Sequence, residues 1–161
     1  MNILNPFSLD VWPVEWHPIV HEVIDGFKLD INDIHGIHHW SRVLVNGMRL
    51  AKKTGANHKV LIAFALLHDC QRENDGRDPE HGLRGAQHGK LIRAQMPSMS
   101  DVEFDLFFDA AERHTQGRVD ADITVQTCWD ADRLDLFRVG IYPDPLRLCT
   151  EAARRADVIE W

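Results

Sequence analysis

A long apolar run of the chain ends on a histidine and an aspartate. From Val60 to Leu67 no side chain is charged or carries an amide, and His68-Asp69 follow directly. A helix over this run is apolar all round, which places it in the middle of the molecule. The next residues, 70–76, turn polar and close on Asp-Gly, a turn signal. The helix therefore ends at His68-Asp69, where the turning backbone lets both side chains face one point.

Apolar residues recur at helical spacing in most of the remaining chain, and capping residues mark where helices begin and end. Ser100 with Glu103 forms a capping box, and prolines follow Asp78 and Asp144 at the first helical position. Leu91 and Ala94 are expected in the core. Residues 119–123 could hold a short strand, but too few strand candidates exist for a sheet. Helices are predicted up to Gly26, and over 33–54, 57–69, 79–96, 100–114, 125–139 and 144–159.

These elements predict an all-α, single-domain helical bundle over residues 1–161, with a core at about 33–140 and helical extensions at both ends. The chain has 161 residues, enough to bury a substantial core, and 44% apolar with 27% charged residues is typical of a globular protein. Three cysteines without a close-spaced pair predict reduced thiols. Without a membrane-length apolar run or a leader pattern, we expect a cytoplasmic protein with no membrane partner.

The net charge narrows the possible partners. A formal charge of -7 argues against a nucleic-acid polymer, because a protein that follows a phosphate backbone carries a basic face. A small phosphorylated molecule remains compatible with this charge if metal ions and a few arginines supply positive charge locally.

The predicted inner helices carry many ionisable side chains. A helix face exposed to water does not by itself account for this number. Three histidines occur within five residues near the start of the 33–54 helix, and His81 and His88 lie at helical spacing with Gly85. His114 falls in a last helical turn, where the helix dipole also favours a purely structural histidine. The candidates for chemistry are His35, His38, His39, His68, Asp69, His81, His114, Asp130, Asp132 and Asp135.

Four of these candidates stand in a recognisable order and context. His39 opens an HxxRV sequence, His68-Asp69 ends LLHD, and Asp132 lies in ADRL. This ordered set resembles the HD-domain superfamily of metal-dependent phosphohydrolases, in which the four corresponding residues bind one divalent metal. The resemblance covers roughly Asp33 to Val139 and implies that His39, His68, Asp69 and Asp132 are metal ligands. Asp130 is the competing candidate for the last ligand, with a supporting role as its alternative.

Imidazole and carboxylate ligands without thiolate suit Mn, Fe, Co, Ni, Mg or Zn, and ligand type alone does not select among them. A metal bound in this way acidifies water and neutralises charge on a phosphoryl oxygen.

Two further motifs resemble the binuclear branches of the superfamily, such as the HD-GYP phosphodiesterases. His81 to Gly85 matches their HxxxG, and His114 begins a match to their next histidine motif. The resemblance implies a second metal bound through His81 and His114 and bridged by Asp69. The paired histidine and the GYP triplet are absent, so hydrolysis of cyclic dinucleotides is not implied.

The two residues that follow the HD motif by three and four positions are candidates for catalysis alongside Asp69. Many family members have a lysine where this chain has Arg72, and the guanosine tetraphosphate hydrolases have an acidic pair at Arg72 and Glu73. We expect Arg72 to contact phosphate through its planar fork. Glu73 is the candidate for orienting or deprotonating the attacking water. A solvated charged loop is the alternative for both residues.

The sequence therefore predicts a phosphohydrolase that acts on a small phosphorylated metabolite, with nucleotides as the favoured class, using one or two divalent ions. A di-iron oxygenase, resembling myo-inositol oxygenase, would use the same His and Asp ligands. A metal-stabilised nucleotide-binding module without turnover is the third interpretation. Substrate, metal, monoester or diester specificity and oligomeric state stay open.

Overall fold

The computed structural model describes residues 9–161, and its regular structure is helical throughout this range. The predicted all-α class is confirmed. Residues 1–8, which the single-domain prediction includes, lie outside the described residues. In residues 9–161 no helix has both the length and the apolar character needed to cross a bilayer. The α-helices are α1 (His17–Gly26), α2 (Ile37–Thr54), α3 (His58–Leu67), α4 (His81–Ile92), α5 (Asp101–Arg113), α6 (Ile123–Arg133) and α7 (Ala156–Ile159).

Helix α3 is the centre of the bundle. Every residue from Val60 to Leu67 is buried, as an all-round apolar helix requires. Its neighbours are α1, α2, α4, α5 and α6. Asn57 caps this helix, since its Oδ1 accepts hydrogen bonds from the backbone amides of Lys59 and Val60. The helix ends at Leu67, so His68 and Asp69 emerge in the interior.

Several other predicted helix ends are confirmed. The capping box of Ser100 and Glu103 forms at the start of α5. Helix α1 ends at Gly26, and α2 ends at Thr54, where Gly55 takes the left-handed conformation at φ 73°. The three cysteines are free and buried, as predicted.

Two predicted helix starts are wrong. Asp33 does not cap α2, because its carboxylate accepts the amide of Ile34 in a turn and α2 begins only at Ile37. Asp78 does not cap α4, which begins at His81, because its carboxylate is taken by Arg84 at 2.6 Å and by the amide of Glu73 at 2.9 Å.

The end of α4 also differs from the prediction. The α-helix stops at Ile92 and a 3-10 turn, Arg93–Gln95, follows it. Leu91 is 81% exposed, and Ala94 is exposed as well. The expectation that both lie in the core is therefore wrong; Ile92 and Met96 are buried instead.

The C-terminal region departs furthest from the prediction. Residues 119–123 form no strand, α6 stops at Arg133, and only the 3-10 turns Leu136–Val139 and Pro145–Arg147 and the short α7 follow it. The physical reason lies in α6, whose side chains bind the backbone of the returning chain. The carboxylate of Asp130 accepts the amides of Cys149 and Thr150 at 2.6 and 2.8 Å. The guanidinium of Arg133 donates to the carbonyl of Arg147 at 2.7 Å.

Helix α4 lies very close to the end of α3. A Cβ atom on Gly85 would be 2.3 Å from the carbonyl oxygen of Leu67 and 3.0 Å from that of His68. The absence of a side chain at Gly85 is what permits this close approach. This contact places His81, the first residue of α4, beside the His68-Asp69 pair.

Candidate metal centre

The six predicted ligands come from five parts of the fold and meet at the end of α3. His39 lies in α2, His68 and Asp69 follow α3, His81 begins α4, His114 follows α5, and Asp132 lies near the end of α6. All are buried except Asp132, whose side chain is 16% exposed.

His39, His68, Asp69 and Asp132 form the first group, called site 1 below. The Nε2 atoms of His39 and His68 are 3.0 Å apart. Asp132 Oδ1 lies 3.4 Å from the first and 3.8 Å from the second. Asp69 Oδ2 lies 3.6 and 3.9 Å from the same two nitrogens. Two nitrogens and two carboxylate oxygens therefore surround one small volume.

Asp69, His81 and His114 form the second group, called site 2 below. Asp69 Oδ1 lies 3.0 Å from His81 Nε2 and 3.6 Å from His114 Nε2. These two nitrogens are 2.9 Å apart. The carboxylate of Asp69 thus directs one oxygen to each site, which is the arrangement of a bridging ligand.

Four histidines of the two sites share one orientation, with Nε2 facing the cluster and Nδ1 bonded outside it. Carbonyl and carboxylate oxygens accept, so each Nδ1 is the donor and each Nε2 is left to bind an ion. Such outward bonds orient metal-binding imidazoles. The acceptors are the carbonyls of Phe64 for His68 (2.9 Å), of Ala111 for His114 (2.7 Å) and of Asp78 for His81, and the carboxylate of Asp135 for His39 (2.7 Å).

The donor set fits a divalent cation. With the Nδ1 atoms donating outward, the close Nε2 pairs in both sites bring lone pairs together, which a cation between them would satisfy. Asp69 Oδ1 is buried and accepts no well-aligned hydrogen bond from residues 9–161. Imidazole and carboxylate ligands without sulfur match the metals named from the sequence.

The electrostatics of the cluster favour ionised carboxylates. Burial alone would raise the pKa of Asp69, but the imidazoles around it, His68 first and then His114, His35 and His81, hold it well below its usual value. Burial lowers the pKa of His68 to about 3, so this imidazole is neutral. Metal ions bind to ionised carboxylates and neutral imidazoles.

Burial would also lower the pKa values of His39 and His114, yet both are raised. Hydrogen bonds to Asp132 and Asp135 raise the pKa of His39, and Asp69 raises that of His114. Without a metal, protons on these two rings would balance the carboxylates, and a metal ion would replace them.

Sequence reasoning did not assign roles to two residues that adjoin the cluster. His35 Nδ1 lies 3.0 Å from Asp69 Oδ2. Asp135, besides accepting from His39, binds Arg42 Nε at 2.6 Å. Helical spacing was the available signal, because Asp135 follows Asp132 by three residues and His35 precedes His39 by four.

Arg72 lies at the edge of site 2. Its Nη1 is 3.6 Å from Asp69 Oδ1 and 3.1 Å from His81 Nε2. Its Nε and Nη2 donate to the carbonyls of Asn74 and Gly76, so much of the buried guanidinium holds the loop after α3. The predicted phosphate contact stays a prediction.

Glu73 lies away from the cluster. Its side chain is 55% exposed, and its carboxylate pairs with Lys28 Nζ at 3.3 Å. The backbone turns outward here because the Glu73 amide donates to Asp78. The geometry gives no support to the predicted role of Glu73 in orienting or deprotonating water.

Of the two aspartates in the last motif, the structure brings Asp132 to the cluster. The carboxylate of Asp130 accepts two backbone amides and the hydroxyl of Thr150, so it anchors the C-terminal region to α6. Burial raises the pKa of Asp130.

Comparisons with known proteins give one informative result. No protein-family model matches the chain, and a comparison with curated proteins gives no match. Among solved structures, the chain is similar to a predicted HD superfamily hydrolase from an uncultured Thermotogales bacterium. The two are 29% identical with a TM-score of 0.69, and the match covers 89% of this chain and 82% of the other. The helical fold, the central cluster and this similarity identify the chain as an HD-domain protein.

Proposed function

We propose that this HD-domain protein is a metal-dependent phosphohydrolase of a small phosphorylated metabolite, with nucleotides as the first class to test. The observation that carries the proposal is the carboxylate of Asp69 between two groups of inward-facing Nε2 atoms. The similar Thermotogales structure is described as a predicted hydrolase, which supports hydrolysis as the reaction type.

A divalent metal bound here would acidify water and neutralise charge on a phosphoryl group. His39, His68, Asp69 and Asp132 would hold an ion in site 1, and Asp69, His81 and His114 an ion in site 2. Asp69 would fix the distance between the two sites. His35, 3.0 Å from Asp69 Oδ2, would help to keep this carboxylate in place.

Positive side chains at the rim support a phosphorylated substrate. Arg72 adjoins site 2, and Arg138 Nη2 lies 3.9 Å from Asp132 Oδ1 at site 1. Both guanidiniums are mostly buried, so their charges are weakly screened. The net charge of -7 over the whole chain favours a small anion over a nucleic-acid polymer.

The test is a phosphate-release screen. Protein loaded separately with Mn²⁺, Fe²⁺, Co²⁺, Ni²⁺, Zn²⁺ and Mg²⁺ is incubated with nucleoside phosphates and sugar phosphates. We expect at least one metal to support phosphate release, and Asp69→Ala to abolish both metal binding and release. His21→Ala is the matched control, because His21 is exposed on α1. It is expected to leave both unchanged.

Two results would contradict the proposal. Iron in the purified protein, with oxygen consumption and no phosphate release, would point to the oxygenase reaction, for which a carboxylate-bridged pair of sites is equally suited. Thermal stabilisation by nucleotides without any product would point to a binding module.

A further inference from the structure

A cavity of about 380 Å³ opens beside the metal centre. Its lining residues come from the end of α5 and from the chain that follows α6, and those used below are His114, Leu136, Ile141, Tyr142, Arg147 and Leu148. Pockets for small organic ligands begin at roughly 300 Å³. The cavity therefore has room for one compact organic group.

His114 belongs to both the cavity and the metal centre. The residue lines the cavity, and its Nε2 atom lies 2.9 Å from His81 Nε2 and 3.6 Å from Asp69 Oδ1. A ligand in the cavity would lie next to site 2. Because the cavity adjoins the metal centre, it is not merely a surface depression unrelated to the site.

The wall of the cavity is mainly apolar and partly aromatic. Ile141 is 52% exposed and Tyr142 59% exposed, so the protein core does not use these large side chains. Tyr142 packs edge-on against Phe137, with ring centroids 5.1 Å apart. The face of an aromatic ring can stack on a flat group. Arg147, with 83% of its side chain exposed, adds a positive charge, and the carboxylate of Asp144 lies 3.9 Å from its Nε atom.

The C-terminal side of this wall is held in place by α6. Asp130 binds the amides of Cys149 and Thr150, and Arg133 binds the carbonyls of Arg147 and Arg118, both at 2.7 Å. Residues on either side of Asp132 thus fix the wall while Asp132 faces the metal centre. This side of the wall is preorganised, which lowers the entropic cost of binding.

We propose that this cavity binds the organic part of the substrate, and that this part is a flat, mainly apolar group of nucleoside size or smaller. The inference rests on the proposed function, because that function places the phosphoryl group of the substrate at the metal centre. It excludes inorganic polyphosphates and small open-chain sugar phosphates as preferred substrates, because they bury little apolar surface.

The test uses two pairs of probes that differ only in a phenyl ring. The phosphonates 2-phenylethylphosphonate and ethylphosphonate resist hydrolysis, and calorimetry with Mn²⁺-loaded protein gives their Kd values. The corresponding phosphate esters, 2-phenylethyl phosphate and ethyl phosphate, have similar leaving groups and report turnover as kcat/KM. We expect the phenyl probe to bind at least about tenfold more tightly, from the apolar surface that it buries.

Tyr142→Ala and, independently, Ile141→Ala should reduce this preference severalfold while leaving the Kd of ethylphosphonate unchanged. Both side chains are more than half exposed, so folding should be retained. Leu91→Ala is the control, because Leu91 is 81% exposed on α4 and is not among the cavity-lining residues. It should leave the preference intact.

The outcomes separate this inference from the proposed function. Equal binding of the two phosphonates, binding of neither, or an unchanged preference in both cavity variants would overturn the cavity assignment. A phenyl preference that both variants reduce, without phosphate release from any ester, would support the cavity and contradict the hydrolase proposal.

Discussion

Asp69 is a buried ionised carboxylate whose neighbours are almost all imidazoles. An ionised group moved into a protein interior costs several kcal/mol unless charges and hydrogen bonds compensate it. His35 hydrogen-bonds to Oδ2, whereas Oδ1 accepts no well-aligned hydrogen bond within the part of the chain that the structure describes. The ionised carboxylate of Asp69 therefore favours the binding of a cation. The histidines that face Asp69 depend on their outward hydrogen bonds for their orientation.

Asp135 provides the strongest of these outward contacts. Its carboxylate accepts from His39 Nδ1 at 2.7 Å and pairs with Arg42 and Arg138. Asp135→Asn should lower metal affinity by about 10- to 100-fold, because His39 loses its charged partner. Metal titration with a competing chelator measures this change. Asp157→Asn is the control, since Asp157 pairs with Arg155 at the surface. Unchanged affinity in Asp135→Asn would refute the orienting role.

At the scale of elements, the approach of α4 to α3 brings site 2 together. Gly82 and Gly85 face backbone carbonyls, with Ala111 O 2.5 Å and Leu67 O 2.3 Å from where their Cβ atoms would lie. Backbone atoms cannot move aside as a flexible side chain can. Even one methyl group added at either glycine would therefore push α4 away from the helices it contacts. Moving α4 would move His81 away from Asp69 and His114.

Gly85→Ala should therefore destabilise the protein by about 1–3 kcal/mol, the usual cost of overpacking. It should also remove the site 2 ion while a site 1 ion is retained. Urea unfolding and elemental analysis measure the two effects. Gly26→Ala is the matched control, because no atom of the described residues lies within 4 Å of its added Cβ. A stable Gly85→Ala protein with two ions per chain would contradict this account of α4.

The sequence was most informative where local signals agree with packing. The apolar run of α3, the capping box of α5 and the order of the motif residues predicted the centre of the fold and six residues that the structure brings together. It failed where distant side chains replace local hydrogen bonds. Asp130 and Arg133 bind the backbone around residue 149, so the Asp144-Pro145 signal gives only a 3-10 turn. Asp78 pairs with Arg84 for a similar reason.

At the scale of the whole molecule, one cluster joins most of the bundle. Its residues come from or directly follow α2, α3, α4, α5 and α6, so an ion bound there would connect elements that are distant in the chain. An ion that binds only the folded state stabilises that state. Metal content and folding stability should therefore change together.

Removal of metal by a chelator should lower Tm, and added Mn²⁺ should restore it. An ion at a concentration of 100 Kd contributes about 2.7 kcal/mol. In a domain of this size each kcal/mol shifts Tm by about 2–4 °C, so we expect a change of about 5–10 °C. Calorimetry of chelated and reloaded protein measures the shift, with Asp69→Ala as the insensitive control, because Asp69 belongs to both sites. Equal Tm values with and without metal would show that the cluster does not couple binding to folding.

Anomalous X-ray scattering from crystals of Mn²⁺-loaded protein tests most directly whether the cluster binds metal. The account predicts two manganese peaks on opposite sides of the Asp69 carboxylate. One should be in contact with His39, His68 and Asp132, and the other with His81 and His114. A single peak, in contact with His39, His68 and Asp132, would show that site 1 binds manganese and that site 2 does not. No peak in contact with Asp69, in crystals whose protein is otherwise active or stabilised by metal, would contradict the account.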